Sequence, residues 1–290
     1  MRIGYYPGCS LLGSSREFDE SSRAVLKALE VELVEVPEWN CCGASSAHII
    51  NHDLSLALPG RILALAEQAG LTEILAPCAA CLNRLLTTQQ EFEKHPEKRA
   101  AVEQAIDLPL KGTVKIVNIL EVLDRLKDRI AAKVRHPFAR KVVNYYGCLM
   151  VRPPRVMNFD RFEDPQSMDR VMDLVGAESL QWPFKTECCG ASFSITRTDI
   201  VAKLGGKLVD GAVQRGAEAI VVACPMCHSN LDLRRPEINA SLQKDHRIPV
   251  LFATQVIGLA LGLEPRKLGL MRHMVPVEFK EPAIAGAGQS

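Results

Sequence analysis

The chain has 290 residues, 47% of them hydrophobic, and its 35 basic and 34 acidic side chains leave a formal net charge of +1. That length suits about two domains with ordinary apolar cores, and the near-neutral balance offers nothing to a nucleic acid or an anionic membrane. No apolar run approaches the ~18 residues of a membrane span. The opening Met1-Arg2-Ile3-Gly4-Tyr5-Tyr6 has no long apolar stretch of signal-peptide type. A cytoplasmic location is expected, where thiols stay reduced and clustered cysteines are metal-binding or catalytic more often than disulfide-bonded.

The first predicted strand is the short run Ile3-Gly-Tyr-Tyr-Pro-Gly that ends at Cys9. The adjacent pair Cys41-Cys42 follows, with Gly43-Ala44-Ser45 behind it. Leu58, Ile62, Leu65 and Ala69 lie three and four apart, which predicts a helix stopped by Gly70. A short apolar segment, Thr72 to Pro77, then leads into Cys78-Ala-Ala-Cys81, and a helix is predicted from Leu82. The charged stretch Glu91 to Arg99 reads as a surface connection, and Val114 to Leu123 closes the first half.

A boundary is placed near Arg135-His-Pro-Phe138, giving domains 1–137 and 138–290. The same series then repeats. Val142 to Gly147 leads into Cys148, and Cys188-Cys189 is followed by Gly190-Ala191-Ser192. Val201, Leu204, Leu208 and Ala212 mark a helix that Gly216 stops. Ala217 to Ala223 precedes Cys224-Pro-Met-Cys227, a helix is predicted from Ser229, and Pro249 to Ala260 ends the series. The tail, Glu281 to Ser290, is small and polar and is expected to be loose. Strands alternating with helices predict an α/β fold of two tandem pseudo-symmetric repeats, each a small parallel-type sheet with flanking helices.

All ten cysteines fall within this repeat: Cys9, Cys41, Cys42, Cys78 and Cys81, then Cys148, Cys188, Cys189, Cys224 and Cys227. Thiolates are soft ligands suited to zinc and to iron–sulfur clusters. Structural zinc takes four ligands, often as two CxxC pairs. Five thiols, two of them adjacent, suit the several irons of a cluster better than one small ion. A thioredoxin-like dithiol is the other reading of a CxxC between strand and helix, but it leaves three cysteines per half without a task. Gly43 and Gly190 would let backbone pass close to sulfide and offer N–H groups to sulfur; a tight turn is the blander alternative.

The residues Tyr5-Tyr-Pro-Gly-Cys9, Trp39-Asn-Cys-Cys-Gly-Ala44, Tyr146-Gly-Cys148, Glu187-Cys-Cys-Gly-Ala191, Ala223-Cys-Pro-Met-Cys-His228 and Thr254 to Gly262 together resemble the B-type heterodisulfide reductase family, which carries two cysteine-rich CCG domains. The resemblance covers nearly the whole chain. It implies that each five-cysteine set binds one non-cubane [4Fe–4S] cluster, that the two clusters lie near a junction of the halves, and that a disulfide is cleaved, or formed in reverse, between them. The wider CCG family implies an alternative, an electron-relay role without direct disulfide chemistry. Because the chain has no CxxCxxC run, the implied partners are a ferredoxin-like iron–sulfur subunit of the C type and a flavin-containing subunit of the A type.

Other candidates are weaker. His228, directly after Cys227, is a candidate proton donor to a leaving thiol, against a structural role at a helix start. Arg84, Arg152, Arg155, Arg234 and Arg235 could meet an anionic coenzyme, although solvated surface is the ordinary role of such residues. Trp39 and Trp182 are expected to shield a cluster or pack in the core. His48 has no counterpart in the second half, where Ile195 stands near the matching place.

Overall fold

The computed structural model describes residues 1–279, so the tail Glu281–Ser290 lies outside the described residues. Eight short strands form two separate four-stranded parallel sheets. The first contains β1 (Arg2–Tyr5), β2 (Glu32–Glu35), β3 (Glu73–Leu75) and β4 (Lys115–Val117), in the order β2-β1-β3-β4. The second contains β5 (Lys141–Tyr145), β6 (Glu178–Ser179), β7 (Ala219–Val222) and β8 (Val250–Phe252), in the order β6-β5-β7-β8. Every pairing is parallel. β7 is buried at all its positions, as a strand covered by helices on both faces must be.

Strand order reverses beside the central strand of each sheet, between β1 and β3 and between β5 and β7. In open parallel sheets this reversal opens a crevice outside the carboxyl ends of the strands, where ligands bind. Cys9 follows β1, Cys41-Cys42 follow β2 and Cys78 follows β3, so the chain delivers its thiols to that crevice. Cys148, Cys188-Cys189 and Cys224 stand in the same relation to β5, β6 and β7.

The predicted helices appear as His52–Gln68 and Thr198–Gln214. Gly70 and Gly216 follow them at φ 67° and 74°, the left-handed conformation that ends a helix. Two expectations need correction. The helices after the CxxC motifs start inside them, at Ala79 and Pro225, so Cys81 and Cys227 sit in the first turn. The surface connection expected over Glu91–Arg99 is largely helical: helices Ala79–Lys94 and Pro96–Ile106 meet at His95, with Pro96 at the first position of the second helix, where its missing N–H costs nothing.

The halves pack through the helix Arg16–Ala28 against the helix Ala253–Ala260. Phe18 stacks on Phe252 at 4.1 Å between ring centroids and 4° between planes. Ser21 Oγ lies 2.7 Å from Thr254 Oγ1, both fully buried. Arg272 reaches back to bridge Glu20 at 2.7 Å.

Candidate metal centre

Each five-cysteine set comes together in space. Cys9 and Cys41 sulfurs are 4.0 Å apart, and those of Cys42 and Cys81 are 3.2 Å apart. In the second half Cys189 and Cys227 are 3.6 Å apart. All ten cysteines are free thiols, and these separations are far beyond the ~2 Å of a disulfide. Cys42, Cys78, Cys81, Cys189, Cys224 and Cys227 are buried, whereas Cys9, Cys41 and Cys188 are exposed. Each site therefore has a closed floor and an open edge.

The thiols perturb one another. Burial and then the neighbouring Cys41 push Cys9 up to about 11; burial and then Cys188 push Cys148 up to about 12. Hydrogen bonding with Cys81 holds Cys42 below the usual thiol range, and hydrogen bonding with Cys227 does the same for Cys189. Hydrogen bonding from Cys81, partly opposed by burial, brings Cys78 down to about 7. Some thiols in each set are thus favoured as anions at the expense of their neighbours. Five thiolates cannot coexist at these distances unless cations neutralise them. A bound iron cluster does that and deprotonates its ligands outright, so the donor set fits such a group.

The glycines serve the sulfurs directly. Gly43 N–H donates to Cys41 Sγ at 3.4 Å, and Gly190 N–H to Cys188 Sγ at 3.3 Å. Both lie at positive φ, 73° and 78°, which turns the amide back over the preceding pair.

Residues whose role the sequence did not disclose are Tyr6 and Tyr145. Tyr6 donates to the Asn40 carbonyl at 2.9 Å and Tyr145 to the Glu187 carbonyl at 2.8 Å, the residue before each Cys pair. Trp39 meets the Tyr6 ring edge-on at 5.5 Å, and Trp182 meets Tyr145 at 6.1 Å. Each half thus walls its thiols with one Tyr–Trp pair. The repeated Tyr-Tyr doublet before the first cysteine was the available signal.

Segments flanking the two sites meet across the interface between halves. Asn83, two residues after Cys81, donates to the Arg152 carbonyl at 3.5 Å, four residues after Cys148. Reciprocally, Ser229, two residues after Cys227, has its Oγ 3.4 Å from that of Ser15, in the segment after Cys9. The CxxC helix of each half touches the first-cysteine loop of the other.

His228 is 2% exposed and lies in the interface. Its ring stacks on Phe252 at 4.4 Å. Its Nδ1 is 3.4 Å from Glu17 Oε1, and its Nε2 is near Val250 O and His273 Nδ1, at 3.2 and 3.3 Å. Among the described residues none of these ring partners is a cysteine. His228, Asp232 and His273 also bring potential metal-ligand atoms within 4.8 Å. Gln255 argues against an ion there. The Phe252 N–H fixes its amide oxygen and the Leu268 carbonyl fixes its nitrogen, so it donates to His273 Nε2 at 2.8 Å. His273 then carries its proton on Nδ1, the atom a metal would need.

The arginines divide. Arg235 is 3% exposed, and its guanidinium donates to the carbonyls of Leu231, His246 and Ile248, so it pins a turn instead of awaiting an anion. Arg234 donates to Ser194 O and pairs with Glu237. Arg152 donates to Thr186, two residues before Cys188. Arg155 is exposed, as is His48. Arg84 is half-buried beside the first site.

The family model for the cysteine-rich CCG domain matches residues 3–85 and 142–232, the two segments that carry the thiols. The chain belongs to the CCG cysteine-rich domain family. It is 29% identical to the 8-methylmenaquinol:fumarate reductase membrane anchor subunit of Wolinella succinogenes, over 94% of this chain and 96% of that one. It is 28% identical to the B-type subunit of a ferredoxin/F420H2-dependent CoB–CoM heterodisulfide reductase of Methanosarcina acetivorans, over 96% and 95%. A solved structure of a hypothetical protein from Helicobacter pylori superposes with a TM-score of 0.80 at 15% identity. It covers 96% of this chain, which spans 53% of that structure, and the likeness is one of fold. No helix among the described residues of this CCG protein is long and apolar enough to cross a membrane.

Proposed function

We propose that this chain is the disulfide-handling iron–sulfur component of a heterodisulfide-reductase-type oxidoreductase. Cys9, Cys41, Cys42, Cys78 and Cys81 would hold one non-cubane [4Fe–4S] cluster, and Cys148, Cys188, Cys189, Cys224 and Cys227 the other. The observation that carries the reading is that segments flanking the two sites meet across the interface between halves, Asn83 with Arg152 and Ser15 with Ser229. Cleaving one disulfide consumes two electrons and two protons and releases two thiols. Bound clusters would supply the electrons, one from each site.

The protein's own residues shape the rest. A small disulfide would approach at the exposed edge formed by Cys9, Cys41 and Cys188. Tyr6, Tyr145, Trp39 and Trp182 keep water from the buried sulfurs. Residues 1–137 and 138–290 act as the two cluster-binding domains. Electrons arrive from a ferredoxin-like partner fed by a flavin-containing one, in the cytoplasm.

Relay without disulfide chemistry is the second reading, favoured by the similarity to the Wolinella anchor protein. Thiol release from small disulfides, with a reduced viologen dye as electron donor, separates the two. Steady release supports disulfide chemistry. A cluster-loaded protein that oxidises no dye in the presence of any disulfide supports the relay.

A further inference from the structure

The two sites are near-copies, and one position where they differ carries a charge. Cys81 and Cys227 occupy matching places in the first turn of their helices. Three residues on, on the same helical face, stand Arg84 in the first half and Asn230 in the second. Asn230 Nδ2 lies 3.0 Å from the Cys189 carbonyl and 3.8 Å from Cys189 Sγ. Arg84 donates through one terminal nitrogen to Ser55 O at 2.9 Å. Burial disfavours its charge and holds it below the usual guanidinium range, and the charge of the Cys42 thiolate offsets only part of that cost. Cys42 and Cys189 are the matching second members of the two pairs. Both side chains also hold a buried polar atom with no hydrogen-bond partner among the described residues: Arg84 Nε, a cationic donor, and Asn230 Oδ1, a neutral acceptor.

The surroundings reinforce the difference. The residue before the Cys pair is neutral Asn40 in the first half, where Arg61 donates to it at 3.0 Å. In the second half it is Glu187, bridged to Lys207 at 3.4 Å. In the second half Arg152, which donates to Thr186, is exposed, so solvent screens it, and buried Lys185 is paired with Asp164 and Asp169. Reducing a cluster adds negative charge, and a partly buried cation stabilises that state more than a neutral amide does.

We propose that Arg84 makes the two centres unequal in potential, so that the first electron delivered by a low-potential donor settles on the centre of the N-terminal half. Arg84 is a positioning residue for charge in this scheme, not a substrate anchor. The inference rests on the two-cluster reading above.

The test is a redox titration of the full-length, iron-loaded protein, followed by electron paramagnetic resonance. C189S, which keeps the N-terminal centre, and C42S, which keeps the C-terminal one, assign the signals. The N-terminal centre is expected at the higher potential. R84Q should move that centre down by at least tenfold in its reduced-to-oxidised ratio, about 59 mV for a one-electron couple, and leave the other in place. R84K, which keeps the charge, should hold most of the wild-type value, and this guards against a merely structural effect. Equal potentials in C189S and C42S, or an R84Q protein that shifts neither centre, would overturn the inference while leaving two clusters standing. Protein that binds no iron would overturn the two-cluster reading itself.

Discussion

Cys227 Sγ lies 2.6 Å from the point where a Cβ on Gly147 would stand, and Cys81 Sγ lies 2.9 Å from the equivalent point on Gly8. Both glycines have positive φ, 70° and 66°. Each half therefore seats its last sulfur against the bare backbone just before its first cysteine.

Gly147→Ala should empty one site. The new methyl group collides with a sulfur held in the first turn of a helix, and the left-handed backbone costs about 1–2 kcal/mol more. Iron per chain should fall to about half, with the circular dichroism of the fold retained. An alanine variant with full iron would show that Cys227 does not bind where the structure seats it.

Cys189→Ser and Cys42→Ser should each remove one paramagnetic signal and spare the other, taking iron from about eight to about four per chain. Survival of both signals in either variant would mean that the ligand assignment is wrong.

Phe18→Ala opens a hole between the halves, beneath the stacked Phe252 ring. Removal of a buried phenyl group costs about 3–5 kcal/mol, so urea unfolding of F18A should show a clear loss of stability. Phe18→Leu, which refills most of the space, should lose much less. Equal stability of F18A and wild type would mean that the halves do not bear on each other here.

Burial raises the Glu17 carboxyl to about 7, with Asp232 pushing in the same direction and its own backbone amide and Arg272 opposing. The folded state thus prefers the protonated acid. Its stabilising contribution is complete below the unfolded value of 4.5 and is lost as pH rises through about 7. Glu17→Gln fixes the neutral form. The Tm of E17Q relative to wild type should increase between about pH 6 and about pH 8.5. A difference that stays constant or shrinks would contradict the buried acid.

The cysteine repeat made much of this legible. Ligands spaced through a chain by strand–helix units must converge at strand ends, so the two-fold repeat, the parallel sheets and the helix stops at Gly70 and Gly216 could all be read. What could not be read depended on three-dimensional neighbours. Glu91–Arg99 is charged enough to resemble a loop, yet helix Pro96–Ile106 packs there on the preceding helices. Arg235 is a candidate anion ligand in the sequence because it lies a few residues from the cluster cysteines. Two of its partners, the carbonyls of His246 and Ile248, are more than ten residues away. His228 looked poised for the site because it follows Cys227, but a helix turns successive side chains about 100° apart, and this one faces Glu17 and His273. The Asn83–Arg152 and Ser15–Ser229 contacts join residues from different halves and have no local signature.

The most direct test is the iron and acid-labile sulfide content of protein purified without air. The account predicts about eight of each per chain, two four-iron clusters on ten thiolates. Near-zero iron after anaerobic reconstitution, with zinc or ten free thiols in its place, would contradict it.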